Sequence, residues 1–296
     1  MKKGILYGIA AYLLWGILPV YWKWLQSVPA IQVISHRIIW SFILLALILF
    51  VTRQGKAFRS AANSPRILLI YLVSAILLSI NWLTYIWAVN AGFVVETSLG
   101  YFINPLLSVL LGVLFLHEKL RPWQWFPIGL AALGVIYVAF SYGQFPWIAL
   151  TLAFSFGLYG LVKKVAPLGS LYGLTLETGL LFLPAVGYLV YLEGMGQGAF
   201  LHSAPTVNLL MAGAGLITTV PLLLFASAVQ RIPLSMVGIL QYINPTISFI
   251  LGVFLYHEPF NRSLLIGFSI VWLALLMFWG ENYLAGRKTH SLPVVT

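Results

Sequence analysis

Few residues in this chain could make or break bonds. Among its 296 residues are six acids, all glutamate (Glu96, Glu118, Glu177, Glu193, Glu258 and Glu281), five histidines and no cysteine. Disulfides, thiolate metal sites and cysteine nucleophiles are therefore excluded, and with no aspartate so is an aspartyl pair for intramembrane proteolysis. His117-Glu118 and His257-Glu258 suggest metal or acid–base work. They continue as HEKLR and HEPFN, however, without the second histidine that a zinc protease helix carries. Each pair follows one apolar run and precedes the next. Glutamate suits a helix N-terminus and Pro122 a first turn, so both pairs read as structural caps. Gly55-Lys56 lacks the rest of a phosphate-binding loop, so ATP hydrolysis is not expected. The expectation is no catalytic residue, no metal and no cofactor.

The remaining polar residues suit binding. His36 and Arg37 lie early in one apolar run, Glu177 at the matching place in a later run, and Glu96 at the start of another. Ionisable groups in a membrane span cost about 2.5–3.5 kcal/mol and need a partner or water. Arg37 suits a carboxylate, Glu177 or Glu96 an amine, and His36 or a glutamate could carry a proton. The plainer reading of each is snorkelling or a structural ion pair. Asn81, in mid-run, either bonds across helices or faces a cavity. Asn104-Pro105 and Asn244-Pro245 also lie inside apolar runs. Proline frees a backbone carbonyl, which in a membrane needs a neighbour or a cavity. Kinks at Pro105 and Pro245 are thus expected to line a cavity, with Tyr101 and Gln241 beside them. Trp15, Tyr21, Trp22 and Trp24 cluster in the first run, and Trp40, Trp82 and Tyr85 follow. Most membrane aromatics anchor or pack; Trp15, Trp40, Trp82 and Tyr85 are the candidates for cavity walls.

The elements that must hold these residues follow from composition. Hydrophobic types make up 61% of the chain, charged types 7%, and the mean hydropathy is +0.98. A soluble domain has about 45–50% apolar and about 25% charged residues, so the expectation is an all-α integral membrane protein. A barrel would alternate apolar and polar residues, whereas these runs are unbroken. At roughly 20 residues per span, ten apolar runs are expected at 4–22, 31–52, 67–89, 93–116, 123–141, 146–164, 171–192, 207–229, 233–256 and 262–281. The first is too long for a signal sequence and lacks a cleavage site. The net charge of +10 is read as loops facing anionic lipid, not as nucleic-acid binding. With the N-terminus inside, inner segments hold 13 Lys and Arg, Lys163 and Lys164 among them, and outer segments hold only Lys23 and Arg262. Both termini are then expected in the cytoplasm.

The chain also repeats itself. FINPLLSVLLGVLFLHE (102–118) and YINPTISFILGVFLYHE (242–258) agree at nine of 17 positions, 140 residues apart. Ala88-Val89 matches Ala228-Val229, and with one residue of slip Trp15-Gly16 matches Phe156-Gly157. Two five-helix halves result, 1–141 and 146–281, followed by a tail at 282–296 expected to be disordered. An odd number of spans per half inverts the second half in the membrane, a design of secondary transporters with a site between the halves.

YLLWGILPVYWKWL (12–25), HRIIWS (36–41) and the run from Ile80 to Leu120 resemble the RarD group of EamA-type permeases, in the drug/metabolite transporter superfamily. The resemblance covers nearly the whole chain. It implies ten helices in two EamA repeats, a bacterial inner membrane, and a central cavity with the fifth and tenth helices peripheral. The expected activity is secondary transport, by alternating access, of a small organic solute, either metabolite- or amino-acid-like or amphipathic and drug-like, with export the expected direction. A proton is a candidate coupling ion, and monomer and homodimer both stay open. The competing class is a membrane enzyme acting on lipid, which would need acid–base or metal ligands clustered near one interface; the glutamates are scattered instead.

Overall fold

Long apolar runs bounded by proline, glycine or charge become helices. The computed structural model describes residues 1–91, 93–255 and 262–290. The helices are α1 (Lys2–Trp24), α2 (Ala30–Val51), α3 (Gly55–Ala62), α4 (Pro65–Asn90), α5 (Val94–Leu116), α6 (Trp125–Tyr142), α7 (Trp147–Val165), α8 (Ser170–Gly194), α9 (Pro205–Val229), α10 (Leu234–Gln241), α11 (Ile243–Ile250) and α12 (Arg262–His290). Among the described residues there is no strand. Eight helices are long and apolar enough to cross a membrane, and two shorter apolar stretches, Leu234–Ile250 and Leu265–Glu281, accompany them.

Local chemistry sets the ends. Pro29, Pro146, Pro205 and Pro233 stand at or just before first turns, where a missing N–H is not needed. Gly143 ends α6 at φ 76°, a conformation that glycine adopts without a Cβ clash. The short basic helix α3 is amphipathic, and although none of its residues is fully buried, its Phe58 ring packs 5.7 Å from that of Tyr172.

Three expectations change. The run 233–256 is interrupted between α10 and α11 at Tyr242, and a π-helical turn, Leu251–Leu255, follows. Pro245 has no N–H to donate to the Gln241 carbonyl four residues back, and the helix parts there. At Pro105, α5 continues unbroken, so the two prolines do not act alike. The last helix runs to His290, nine residues past the end expected for its apolar run. His257-Glu258 and 291–296 lie outside the described residues.

Packing follows the repeat. The main helix pairs are α1 with α9, α4 with α7, α2 with α9, α4 with α8, α1 with α11, α5 with α7, α2 with α8, α5 with α10, and α6 with α12. Exchanging α1 for α7, α2 for α8, α4 for α9, α5 for α10–α11 and α6 for α12 returns the same set. Two pairs of equivalent residues touch each other: the Trp15 and Phe156 rings lie 5.8 Å apart, and the Tyr242 hydroxyl donates to the Phe102 carbonyl at 3.4 Å. Equivalent residues meet only where the exchange axis runs, so these contacts mark the axis. Close approach depends on small residues, as lipid gives helices little hydrophobic reason to associate. A Cβ on Gly215 of α9 would collide with the Trp40 Cβ of α2.

Candidate functional site

The exchange axis runs beside a cavity of about 160 Å³. Its walls come from both halves: Tyr12, Trp15, Pro19 and Trp22 of α1, Arg37 of α2, Asn81, Trp82 and Tyr85 of α4, Tyr101 and Asn104 of α5, Leu152 and Phe156 of α7, Leu222 of α9, Gln241 of α10, and Asn244 and Ser248 of α11. Helices α6, α8 and α12 contribute none. Of the thirteen residues that the sequence nominates for a cavity, nine meet here: Trp15, Arg37, Asn81, Trp82, Tyr85, Tyr101, Asn104, Gln241 and Asn244.

Arg37 is the one cation among these lining residues. Its Nε donates to Thr218 Oγ1 at 2.9 Å, and the guanidinium lies 4.6 Å from the Trp22 ring centre and 4.4 Å from that of Trp82. Weakly hydrated and planar, a guanidinium suits such a stack better than an ammonium. Asn81 Nδ2 donates to the Leu152 carbonyl at 2.9 Å and to Ser155 Oγ at 3.1 Å. Both readings of Asn81 therefore hold together: it bonds across to α7 and it lines the cavity. Pro105 and Pro245 lack the N–H that would hold the carbonyls of Tyr101 and Gln241, both cavity residues. The Tyr85 and Tyr101 rings pack 5.9 Å apart.

The other four candidates lie elsewhere. His36 and Trp40 face Phe200, with ring centres 4.8 and 6.1 Å away, and the buried His36 Nε2 and Trp40 Nε1 have no hydrogen-bond partner. Glu96 accepts the Ile148 N–H at 2.9 Å and so caps the first turn of α7. Glu177 is fully buried and salt-bridged to Lys163 Nζ at 2.9 Å; Ser74 Oγ donates to it at 2.6 Å and the Tyr159 hydroxyl at 3.3 Å. Lys163, counted from the sequence among the loop charges, is therefore an interior residue, 0% exposed. Neither glutamate lines the cavity, so neither stands where a solute amine would need it.

Glu118 does cap, but not its neighbour in sequence. His117 takes the left-handed conformation at φ 54° and ends α5. Glu118 then accepts the N–H and hydroxyl of Ser235 at 2.9 and 2.6 Å, at the start of α10. Sequence reasoning missed Tyr12, whose buried hydroxyl has no partner, and Thr218. Nothing in a chain with 15 tyrosines singles out Tyr12. Phe156 was visible only as the repeat match of Trp15. A second recess of about 440 Å³ lies between α1, α10, α11 and α12, but its lining is nearly all apolar. Convergent polar groups distinguish a ligand site, and they are in the smaller cavity.

A family model described as the EamA-like transporter family matches residues 2–140 and 146–280. The chain is 52% identical to an uncharacterized transporter of Bacillus subtilis, YojE, over 94% of this chain and 93% of that one. It is 42% identical to Protein RarD of Streptomyces exfoliatus over 98% and 92% of the two chains, and 39% identical to Protein RarD of Escherichia coli over 98% of each. A solved crystal structure superposes with a TM-score of 0.68 over 93% of this chain and 96% of the other; at 17% identity it speaks to the fold alone.

Proposed function

The chain belongs to the EamA-like transporter family, whose model covers both halves, and from that premise we propose that this multi-pass membrane transporter carries a small organic solute by alternating access. The observation that carries the reading is the cavity on the exchange axis, walled by both halves and lined with polar and aromatic side chains. Two halves with exchangeable packing have two related arrangements, one opening the cavity to each side. We take α10–α11 as one span and α12 as another, giving ten. The second half is then inverted, and both termini are cytoplasmic in a bacterial inner membrane. The bias of Lys and Arg supports that orientation even after Lys163 leaves the loop count. Export is the proposed direction, following the resemblance.

Among the described residues no carboxylate or imidazole lines the cavity. A lipid-modifying enzyme would need such groups clustered, and this cavity wall does not supply them. The absence of native cysteine makes the test direct. Ser248→Cys and Leu222→Cys each place a thiol in the cavity wall. In right-side-out and inside-out vesicles, a membrane-impermeant maleimide is expected to label each variant from both sides. Labelling confined to one side under every condition would overturn alternating access.

A further inference from the structure

We infer that the solute this cavity holds is an organic anion: a small carboxylate whose charge rests on Arg37 and whose apolar or aromatic body lies among the surrounding rings. The inference deepens the transport reading and rests on it for the use of the cavity. Its basis is a census of charge. Five of the six glutamates are described, and each is engaged away from the cavity. Glu96 caps α7, Glu118 caps α10, Glu177 pairs with Lys163, Glu193 with His202 and Glu281 with Arg121. Among the described residues Arg37 has no carboxylate partner. Its Nε is used on Thr218, and among the described residues no acceptor is bonded to its terminal nitrogens.

The repeat supplies an internal control. Arg37 in α2 and Glu177 in α8 stand 140 residues apart, at equivalent places in the two halves. Each is tied to a hydroxyl of the helix that crosses it, Arg37 to Thr218 of α9 and Glu177 to Ser74 of α4. In the second half the buried charge has its counter-ion inside the protein, Lys163. In the first half a charge at the equivalent place faces the cavity, with indoles of Trp22 and Trp82 against it and no acid. A charge inside a membrane is held by a partner or by water; here the missing partner is one that a solute can bring. An indole on the guanidinium plane leaves its N–H edge for a bidentate acceptor, which a carboxylate fits.

Other groups agree. The Tyr12 hydroxyl is buried in the wall without a partner, and Asn104 and Asn244 offer neutral hydrogen bonds, whereas the Asn81 amide hydrogens are already used on Leu152 and Ser155. A cavity of about 150 Å³ takes a benzene ring, so about 160 Å³ suits one ring-sized body. No described acid lines the cavity to receive an ammonium group, which favours a plain carboxylate over an amino acid.

The test is binding to the purified full chain in phosphatidylcholine nanodiscs. The probes are 3-phenylpropionate, its neutral amide 3-phenylpropanamide, phenylalanine and inorganic phosphate. The carboxylate is expected to bind on the order of tenfold tighter than the amide, as charge-assisted hydrogen bonds do relative to neutral ones. Arg37→Gln should abolish that preference while Arg37→Lys keeps part of it. The amide comparison in the unaltered protein stands even if a variant fails to fold. Equal or tighter binding of the amide, tighter binding of phenylalanine, or no binding of the carboxylate would overturn the inference. Phosphate binding as tightly as 3-phenylpropionate would make Arg37 an inorganic-anion site and also overturn it. Phosphatidylglycerol discs that block the probe would assign the acceptor to a lipid headgroup, with the same consequence. Two-sided maleimide labelling alongside any of these results would keep the transporter and reject only the anion.

Discussion

Lys163 of α7 and Glu177 of α8 form a buried ion pair. Its side chains are 1% and 0% exposed, with Nζ and Oε1 2.9 Å apart. At an effective dielectric of about 20 the attraction at that distance is about 6 kcal/mol. Desolvation takes back several kcal/mol per ion, so the pair as a whole contributes little net stability. Removing one partner is different, because the other charge stays buried and uncompensated, at a cost of about 3–5 kcal/mol. Glu177→Leu and Lys163→Met should each lower Tm by about 6–20 °C, taking about 2–4 °C per kcal/mol. The double variant should recover part of that loss. It should not recover all of it, because the Ser74 and Tyr159 hydroxyls lose their acceptor, at about 1–3 kcal/mol for each group left unsatisfied. The assay is thermal unfolding of the four proteins of the cycle, followed by tryptophan fluorescence in one detergent. Single variants within about 2 °C of the parent, or a double variant whose loss equals the sum of the singles, would refute the reasoning.

Other outcomes follow from the same coordinates. Gly215→Val would press a side chain into Trp40 and the backbone of α2, so a loss of at least about 1–3 kcal/mol is expected in the same assay. Glu118→Ala uncaps α10 across the interface with α5 and should cost about 0.5–2 kcal/mol; Glu118→Gln should restore part of it. Trp82→Ala removes one indole from the Arg37 guanidinium. It should weaken binding of a carboxylate probe by roughly 2–30-fold, the range of about 0.5–2 kcal/mol for such stacks, which calorimetry can read. Unchanged affinity in that variant would mean the stack does not position the guanidinium.

Much of the cavity was legible because polarity inside an apolar run is itself a signal. Asn81, Arg37, Asn104 and Asn244 stand out against their neighbours in sequence, and burial in lipid requires each to have a reason. Glu96 and Glu177 stand out just as strongly, yet neither lines the cavity. Sequence shows that a charge must be satisfied but not by what. The donor for Glu96 is a backbone N–H 52 residues away. The counter-ion of Glu177 is a lysine that, by its place after an apolar run, looked like a loop charge. Tyr12 gave no signal at all, since a tyrosine with a partnered hydroxyl and one without are the same letter.

The sequence by itself determined the membrane class, the helical runs, the two-fold repeat and the family. Each depends on composition, on local period or on similarity along the chain, and all of these can be read without knowing which helix touches which. Only the tertiary structure decided which charges meet. Contacts such as Arg37 with Thr218, or Glu177 with Lys163 and Ser74, join helices far apart in the chain. A side chain's partner depends on the rotation of each helix about its axis, where a turn of 100° per residue separates a cavity face from a packed one. The equivalent positions 37 and 177 share a place in the repeat but not a partner, and that difference of neighbours turns one charge toward the cavity and the other into the frame.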